Sequence, residues 1–413
     1  MTINRRLMVL GAAAALGAAA TLVVSAARSA DDSAKPPAAP ALPPQPHEWL
    51  APSVDLTPPP AEARWGKGWV RGRSLPIAMA GHRAVADGSF IYVIGGLAQR
   101  EHIGQRDVWM TRIDPSSTQY LSPWKKLAPL PVPVAFFDTV VYGGRVYIVG
   151  GSSREGMQFI YDTVLSAPFK KGGGLGSWRT ERAMPSKLVH PAAATVGGYL
   201  YVLGGFDGSE YHPNMSYAKF NSDGTLQEWK DARAMYPHKV GRTVLAPLGN
   251  DLVAIGGYWS DSQGQHTTAL IMRGVRDPDG NVKEWVSEGG LKVAARSLRF
   301  SLAESAGAAD GNFIYLAGGS DPDSMGVATT QAAWINAKTG ALTRWQFGKE
   351  LPLWGAKGAP QTARLYQSAA AIAANHMVVL GGFLFVRECT DLVWVQPLKD
   401  YREPDWVKGA RKP

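Results

Sequence analysis

Arginine or histidine stands at a matching place before four of six Gly-Gly pairs. Aligned on those pairs, His82 and Arg83, Phe137 and Asp138, His190, Arg242, Arg299, and Tyr366 and Gln367 take equivalent places in successive stretches of chain. The segments after the pairs add Arg100, Glu101 and His102; Arg154 and Glu155; Asp207, Tyr211 and His212; Tyr258, Trp259 and His266; Asp321 and Asp323; and Arg387 and Glu388. The first set holds more Arg and His than acid. A guanidinium binds oxyanions through paired hydrogen bonds, so the set suits a carboxylate, a phosphate or an acidic sugar. A second reading is structural: such groups satisfy strand ends and bind water.

Other patterns carry less. Asp277-Pro278-Asp279-Gly280-Asn281 with Glu288 is spaced like a calcium loop, but Val282 stands where that loop requires Gly, so a tight turn is expected. The eight His show no zinc spacing, and the one thiol, Cys389, makes neither an intramolecular disulfide nor a Cys-rich metal site. There is no phosphate loop and no Ser-His-Asp pattern, so no cofactor and no metal are expected. The formal charge of +9 on 413 residues contains no run of five basic residues, which argues against nucleic acid as a partner.

The elements that must position these residues form a repeat. Strand-like runs end in Gly95-Gly96, Gly150-Gly151, Gly204-Gly205, Gly256-Gly257, Gly318-Gly319 and Gly381-Gly382, at spacings of 55, 54, 52, 62 and 63 residues. A second marker, Trp124, Trp178, Trp229, Trp285, Trp345 and Trp406, follows each pair at a nearly constant distance, and Trp69 precedes the first. A period near 50 fits a four-stranded unit. In the first unit, strand a opens near His82, strand b is Phe90 to Ile94, strand c is Asp107 to Thr111, and strand d begins near Trp124. The glycines supply positive φ and room for a neighbour. The Trp gives each narrow unit a large apolar anchor.

These features resemble Kelch-repeat propellers over about residues 65–410. Met215 to Trp229, with a short Asp-Gly turn, is similar to a bacterial form of the unit. The resemblance implies an all-β, six-bladed propeller with four-stranded antiparallel blades. The wider spacing of the last two units implies insertions before strand b. Trp69-Val70-Arg71 is expected to supply strand d of the closing blade, leaving Trp406 as a surplus edge strand; the reverse assignment stays open. Alternating strand direction places the His/Arg set at one mouth of the central channel, with His82, Arg83, Asp138, His190, Arg242, Arg299 and Tyr366 as ligand-binding candidates.

The ends suggest export. Asn4-Arg5-Arg6 precede a charge-free stretch from Leu7 to Ala27, the layout of a signal, similar to a twin-arginine one. Ser25-Ala26-Ala27 offers a cleavage site, and the uncharged stretch is also long enough to anchor the chain in the inner membrane. Residues 28–64 are rich in Pro and Ala and read as a spacer. The expected location is periplasmic or extracellular.

Three functions follow. The first is a module that binds a protein or an anionic carbohydrate through its loop face. The second is an enzyme: the propellers resembled include periplasmic sialic acid epimerases (mutarotases), which implies Arg242 or Arg299 as a carboxylate clamp and Glu101, Glu155 or His190 as proton carrier. The third is an anchored subunit of a membrane-associated complex. Copper radical oxidases, also Kelch-like, cross-link a Cys to a Tyr; Cys389 is expected instead to be a half-buried small residue.

Overall fold

The computed structural model describes residues 68–98, 103–154, 159–262, 264–290, 305–310, 313–320, 328–334, 342, 345–353, 365–384 and 388–399. The chain divides between Glu48 and Trp49, and all described residues lie in the second unit. The leader, the spacer, Arg299 and Trp406 fall outside them.

Six four-stranded antiparallel sheets appear among the described residues. From the inner to the outer strand, blade one is Arg83–Asp87, Phe90–Ile94, Val108–Arg112 and Lys125–Lys126. Blade two is Asp138–Tyr142, Arg145–Val149, Val164–Pro168 and Arg179–Thr180. Blade three is Ala192–Val196, Tyr199–Leu203, Met215–Phe220 and Leu226–Asp231. Blade four is Val244–Leu248, Asp251–Asp261, Gly264–Arg276 and Val282–Gly290. Blade five is Ala306–Ala309, Phe313–Ala317, Thr330–Trp334 and Gln346–Phe347. Blade six is Ala369–Ala373, His376–Leu380 and Val393–Pro397, completed by Val70–Arg71. Val70 pairs with Val395 and Arg71 with Trp394, so the N-terminal side of the propeller closes the last blade.

The inner strands surround a channel of about 400 Å³, lined mainly by small residues such as Ala84, Ala193, Ala246, Ala308 and Ala371. Alanine suits this place because the inner strands converge and leave little lateral room.

The core lies in the seams between blades. Each of six apolar clusters joins two neighbouring blades and contains one outer-strand Trp: Trp69, Trp124, Trp178, Trp229, Trp285 or Trp345. Each blade thus has its Trp anchor, and the structure shows that the anchor is buried across a seam. The indole reaches back to the preceding blade, where Nε1 of Trp69 donates to the Lys349 carbonyl at 2.9 Å and Nε1 of Trp124 to that of Arg73 at 3.3 Å. A narrow outer strand has no core of its own, so its large side chain is buried only across the seam.

All twelve glycines of the pairs have positive φ. The second glycine donates its N–H across the seam: Gly96 to Val134, Gly151 to Leu188, Gly205 to Val240, Gly319 to Leu365 and Gly382 to Met79, each at 2.8–2.9 Å. A Cβ on Gly204 would lie 2.1 Å from the Val240 carbonyl oxygen. Glycine is thus required both by conformation and by close approach.

Blade four departs from the repeat. Its second and third strands continue past the glycine pair as one hairpin, with Trp259 opposite His266 and Asp261 opposite Gly264. Part of the wider spacing thus lies after strand b rather than before it.

Candidate functional site on the loop face

The chain passes from blade to blade at the end of the ring where strand a begins. The residue two before each inner strand is Gly81, Phe136, His190, Arg242 or Gln367, all with φ between +51° and +63°. Their peptide groups form a relay around the mouth: Arg242 N–H donates to His190 O, His190 N–H to Phe136 O, Phe136 N–H to Gly81 O, and Gly81 N–H to Gln367 O, at 2.7–3.1 Å. Ala306 pairs with Ala317, so in blade five the equivalent position is 304 rather than Arg299; both lie outside the described residues.

The candidates fall into separate places. Arg83 and Asp138 reach the channel. Arg83 Nε donates to Asp138 Oδ1 at 3.1 Å, and the other Asp138 oxygen accepts the Ala193 N–H at 2.7 Å. One carboxylate thus ties blades one, two and three together. His82 does not line the channel. It is fully buried under Gly381, in the place that Phe137 takes beneath Gly95. Burial first, and the neighbouring Arg83 charge second, push its pKa down to about 3; a Leu380 backbone group opposes this weakly, although neither ring nitrogen makes a well-formed hydrogen bond.

His190 is buried against Phe136, with ring centroids 4.7 Å apart. Its pKa lies well below the ordinary value because of burial, then Arg242, then Arg83. Burial thus favours the neutral form of both imidazoles. The Arg242 guanidinium sits 4.7 Å over the Tyr258 ring. Tyr366 packs on Phe383 at 5.2 Å in a cluster above the mouth that also holds Phe136, Val189 and the buried Cys389. Gln367 is nearly buried at the relay itself.

The outer loops carry further pairs. Asp207 accepts from His212 at 2.8 Å. Burial opposes ionisation of Asp207, but the Glu210 and Ser209 N–H groups, the Ser209 hydroxyl and His212 outweigh it and hold its pKa far down. Trp259 is stacked between His238 and His266 at 4.7 and 4.9 Å, and His266 reaches Asp261 at 2.9 Å. Phe159 is 68% exposed at φ +56°. Met235, on the loop between blades three and four, is 59% exposed. Arg100, Glu101, His102, Glu155, Asp321, Asp323 and Arg387 lie outside the described residues.

The Asp277 to Asn281 segment is the expected turn, with Gly280 N–H donating to Asp277 O at 3.0 Å. It also receives the Tyr201 hydroxyl at the Gly280 carbonyl, 2.6 Å away. Tyr147 binds Gly224 O at 2.7 Å, and Tyr92 meets Gly174, accepting its N–H at 3.1 Å. These three hydroxyls latch the end of the ring opposite the loop face. Their signal was a Tyr three places before a glycine pair, matched by Gly in the next blade's outer turn.

A profile of the Kelch motif matches residues 187–216, which run through the first two strands of blade three into its third. The fold is a Kelch-type β-propeller. The chain is 27% identical over 139 residues to Kelch-like protein 40 of Mus musculus, covering 33% of this chain and 20% of that protein. Kelch repeat and BTB domain-containing protein 12 of Homo sapiens is 28% identical over 176 residues, 39% of this chain and 27% of its own length. Kelch-like protein 36 of Mus musculus aligns over 287 residues at 24% identity, 69% of this chain and 42% of the relative. The aligned Kelch segment thus spans between a fifth and about two fifths of these relatives.

Proposed function

We propose that this propeller is a binding module that docks a protein partner on its loop face. The carrying observation is Phe159. A bulky apolar side chain is held at positive φ and 68% exposed on a loop tip, an arrangement that gives the isolated molecule nothing and an interface an anchor. Met235 adds a second exposed apolar group on the same face. The interior of the mouth supports the reading from the other side, because Arg83 is engaged by Asp138 and the imidazoles are neutral. The N-terminal sequence layout supports work outside the cytoplasm, in the periplasm or at the cell surface, with residues 1–27 read as export signal or membrane anchor and residues 28–64 as spacer. An anionic glycan is the second ligand class, favoured by Arg242 over Tyr258.

The test is affinity capture from the extracytoplasmic fraction with the immobilised propeller. Specific protein partners should be lost with Phe159→Ser and retained with Phe347→Ser, which alters an exposed residue on an outer strand. Equal loss with both variants, or with neither, sinks the loop-face assignment.

A further inference from the structure

One seam on the loop face is underfilled. In every blade, the residue two before the glycine pair faces a residue on the third strand, which faces one on the outer strand. The third-strand residue is Trp109, Leu165, Met272, Gln331 or Trp394 in blades one, two, four, five and six. In blade three it is Ser216, opposite Val202. The missing volume is a cavity of about 250 Å³ between blades two and three, separate from the channel. Buried Met184 and Val202 form its inner end, while Ser216, Asn214 and Asp231 form its outer end.

The outer-strand partners complete the pattern. Lys126 lies 5.3 Å over the Trp109 ring, and Arg71 lies 5.4 Å over the Trp394 ring. Both cations sit directly opposite their Trp in the pairing register. In blade three that place belongs to Asp231, which accepts the Ser216 hydroxyl at 2.7 Å and is ion-paired to no described residue. Blades one and six fill the place with an aromatic ring covered by a cation. Blade three offers a ring-sized void closed by a carboxylate.

We propose that this seam pocket receives an aromatic side chain of the protein partner, with an adjacent Lys or Arg of the partner meeting Asp231. The inference rests on the protein-binding reading and names what the partner must present. Met184, Pro185, Leu188 and Val202 give the ring its apolar contacts, His212 and Asn214 add polar ones, and the rim carboxylate selects the cation, as expected where a buried anchor is flanked by a polar rim.

The experiment titrates the ¹⁵N-labelled propeller with the acetylated, amidated dipeptide Trp-Lys, with Trp-Glu and Ala-Lys as comparisons. Trp-Lys should bind saturably, at the millimolar affinity expected of a two-residue probe, and shift the amides of Asn214, Ser216 and Asp231. Ser216→Trp should abolish those shifts. Asp231→Lys should weaken binding by about tenfold, the effect of roughly one charge-assisted contact. The double variant Ser216→Trp/Asp231→Lys rebuilds the blade-one pair, so loss of binding there with an intact fold reports on the pocket alone. Absence of saturable shifts, or equal binding of Trp-Glu, overturns the proposal. Saturation only after removal of residues 400–413 assigns the pocket to the chain's own Trp406 segment and overturns the partner assignment. If partner capture is lost with Phe159→Ser yet survives Ser216→Trp, the loop-face reading stands and the pocket falls. If Phe159→Ser leaves capture intact, the reading itself falls.

Discussion

The seams joining blades one to two, two to three and three to four differ from the seam that closes the ring between blades six and one. The first three are held at both ends. At the loop face the second glycine of each pair donates its N–H to a carbonyl of the neighbouring blade, and at the opposite face Tyr92, Tyr147 and Tyr201 bind Gly174, Gly224 and Gly280. In blade six the corresponding residue is Val378, and the outer turn of blade one, Asp114 to Tyr120, contains no glycine. The two absences belong together. A Cβ on Gly224 would lie 2.7 Å from the Tyr147 hydroxyl, so a latch needs both the Tyr and the Gly. The closing seam relies instead on the pairing of Val70–Arg71 with the last blade and on apolar packing around Trp124. It also places His82 where the one-to-two seam has Phe137. Sequential blades are thus tied by polar contacts at both faces, while the closing seam keeps the loop-face bond from Gly382 to Met79 and relies on strand exchange and burial where the others have a latch.

The largest expected effect strikes the feature both kinds of seam share. Gly204→Ala forces a Cβ into the Val240 carbonyl at φ +61° and should cost about 3 kcal/mol or more. Gly249→Ala, at φ +60° with open space around it, should cost only about 1 kcal/mol. Urea denaturation of the two variants measures the difference, and equal losses would mean that the seam contact contributes nothing beyond conformation.

The next effect is specific to the closing seam. The folded-state pKa of His82 is lowered, so its contribution to stability is complete above the unfolded value near 6.5 and is lost as pH falls toward 3. Between those limits the slope approaches about 1.4 kcal/mol per pH unit. His82→Phe copies Phe137 and should flatten the fall in Tm between pH 7 and pH 5, as followed by calorimetry. His190, also lowered, preserves part of the acid sensitivity in the variant. An unchanged pH profile would show that His82 is not held neutral in the seam.

The smallest effect belongs to the latches. Tyr147→Phe removes one hydroxyl from a buried carbonyl and should destabilise by about 1 kcal/mol. Val378→Thr, at the unlatched seam, should change stability by less. A reversal of that order would mean that the polar latches do not distinguish the two kinds of seam.

Much of this was legible in the chain. The strand positions in blade one were read within a residue or two, because alternating β-branched and aromatic residues ending in Gly-Gly admit few other structures. Trp69 was assigned to the closing blade from spacing alone, and it packs there. Sequence alignment failed where a one-residue offset changes what a side chain faces. His82 and Arg83 are neighbours, yet one enters a seam and the other the channel, since successive strand residues point to opposite sides. Arg242 and His190 flank each other only because the peptide relay brings equivalent positions of separate blades together.

The repeat of glycine pairs and tryptophans determined the all-β architecture by itself, because each marker meets a local need: positive φ at a strand end and burial of a large ring. The tertiary structure alone decided which side chains meet. The ion pair of Arg83 with Asp138, the latches and the void beside Ser216 all lie between blades, where partners are separated by some 55 to 80 residues. No local rule links such residues; only the closing of the ring sets their distances.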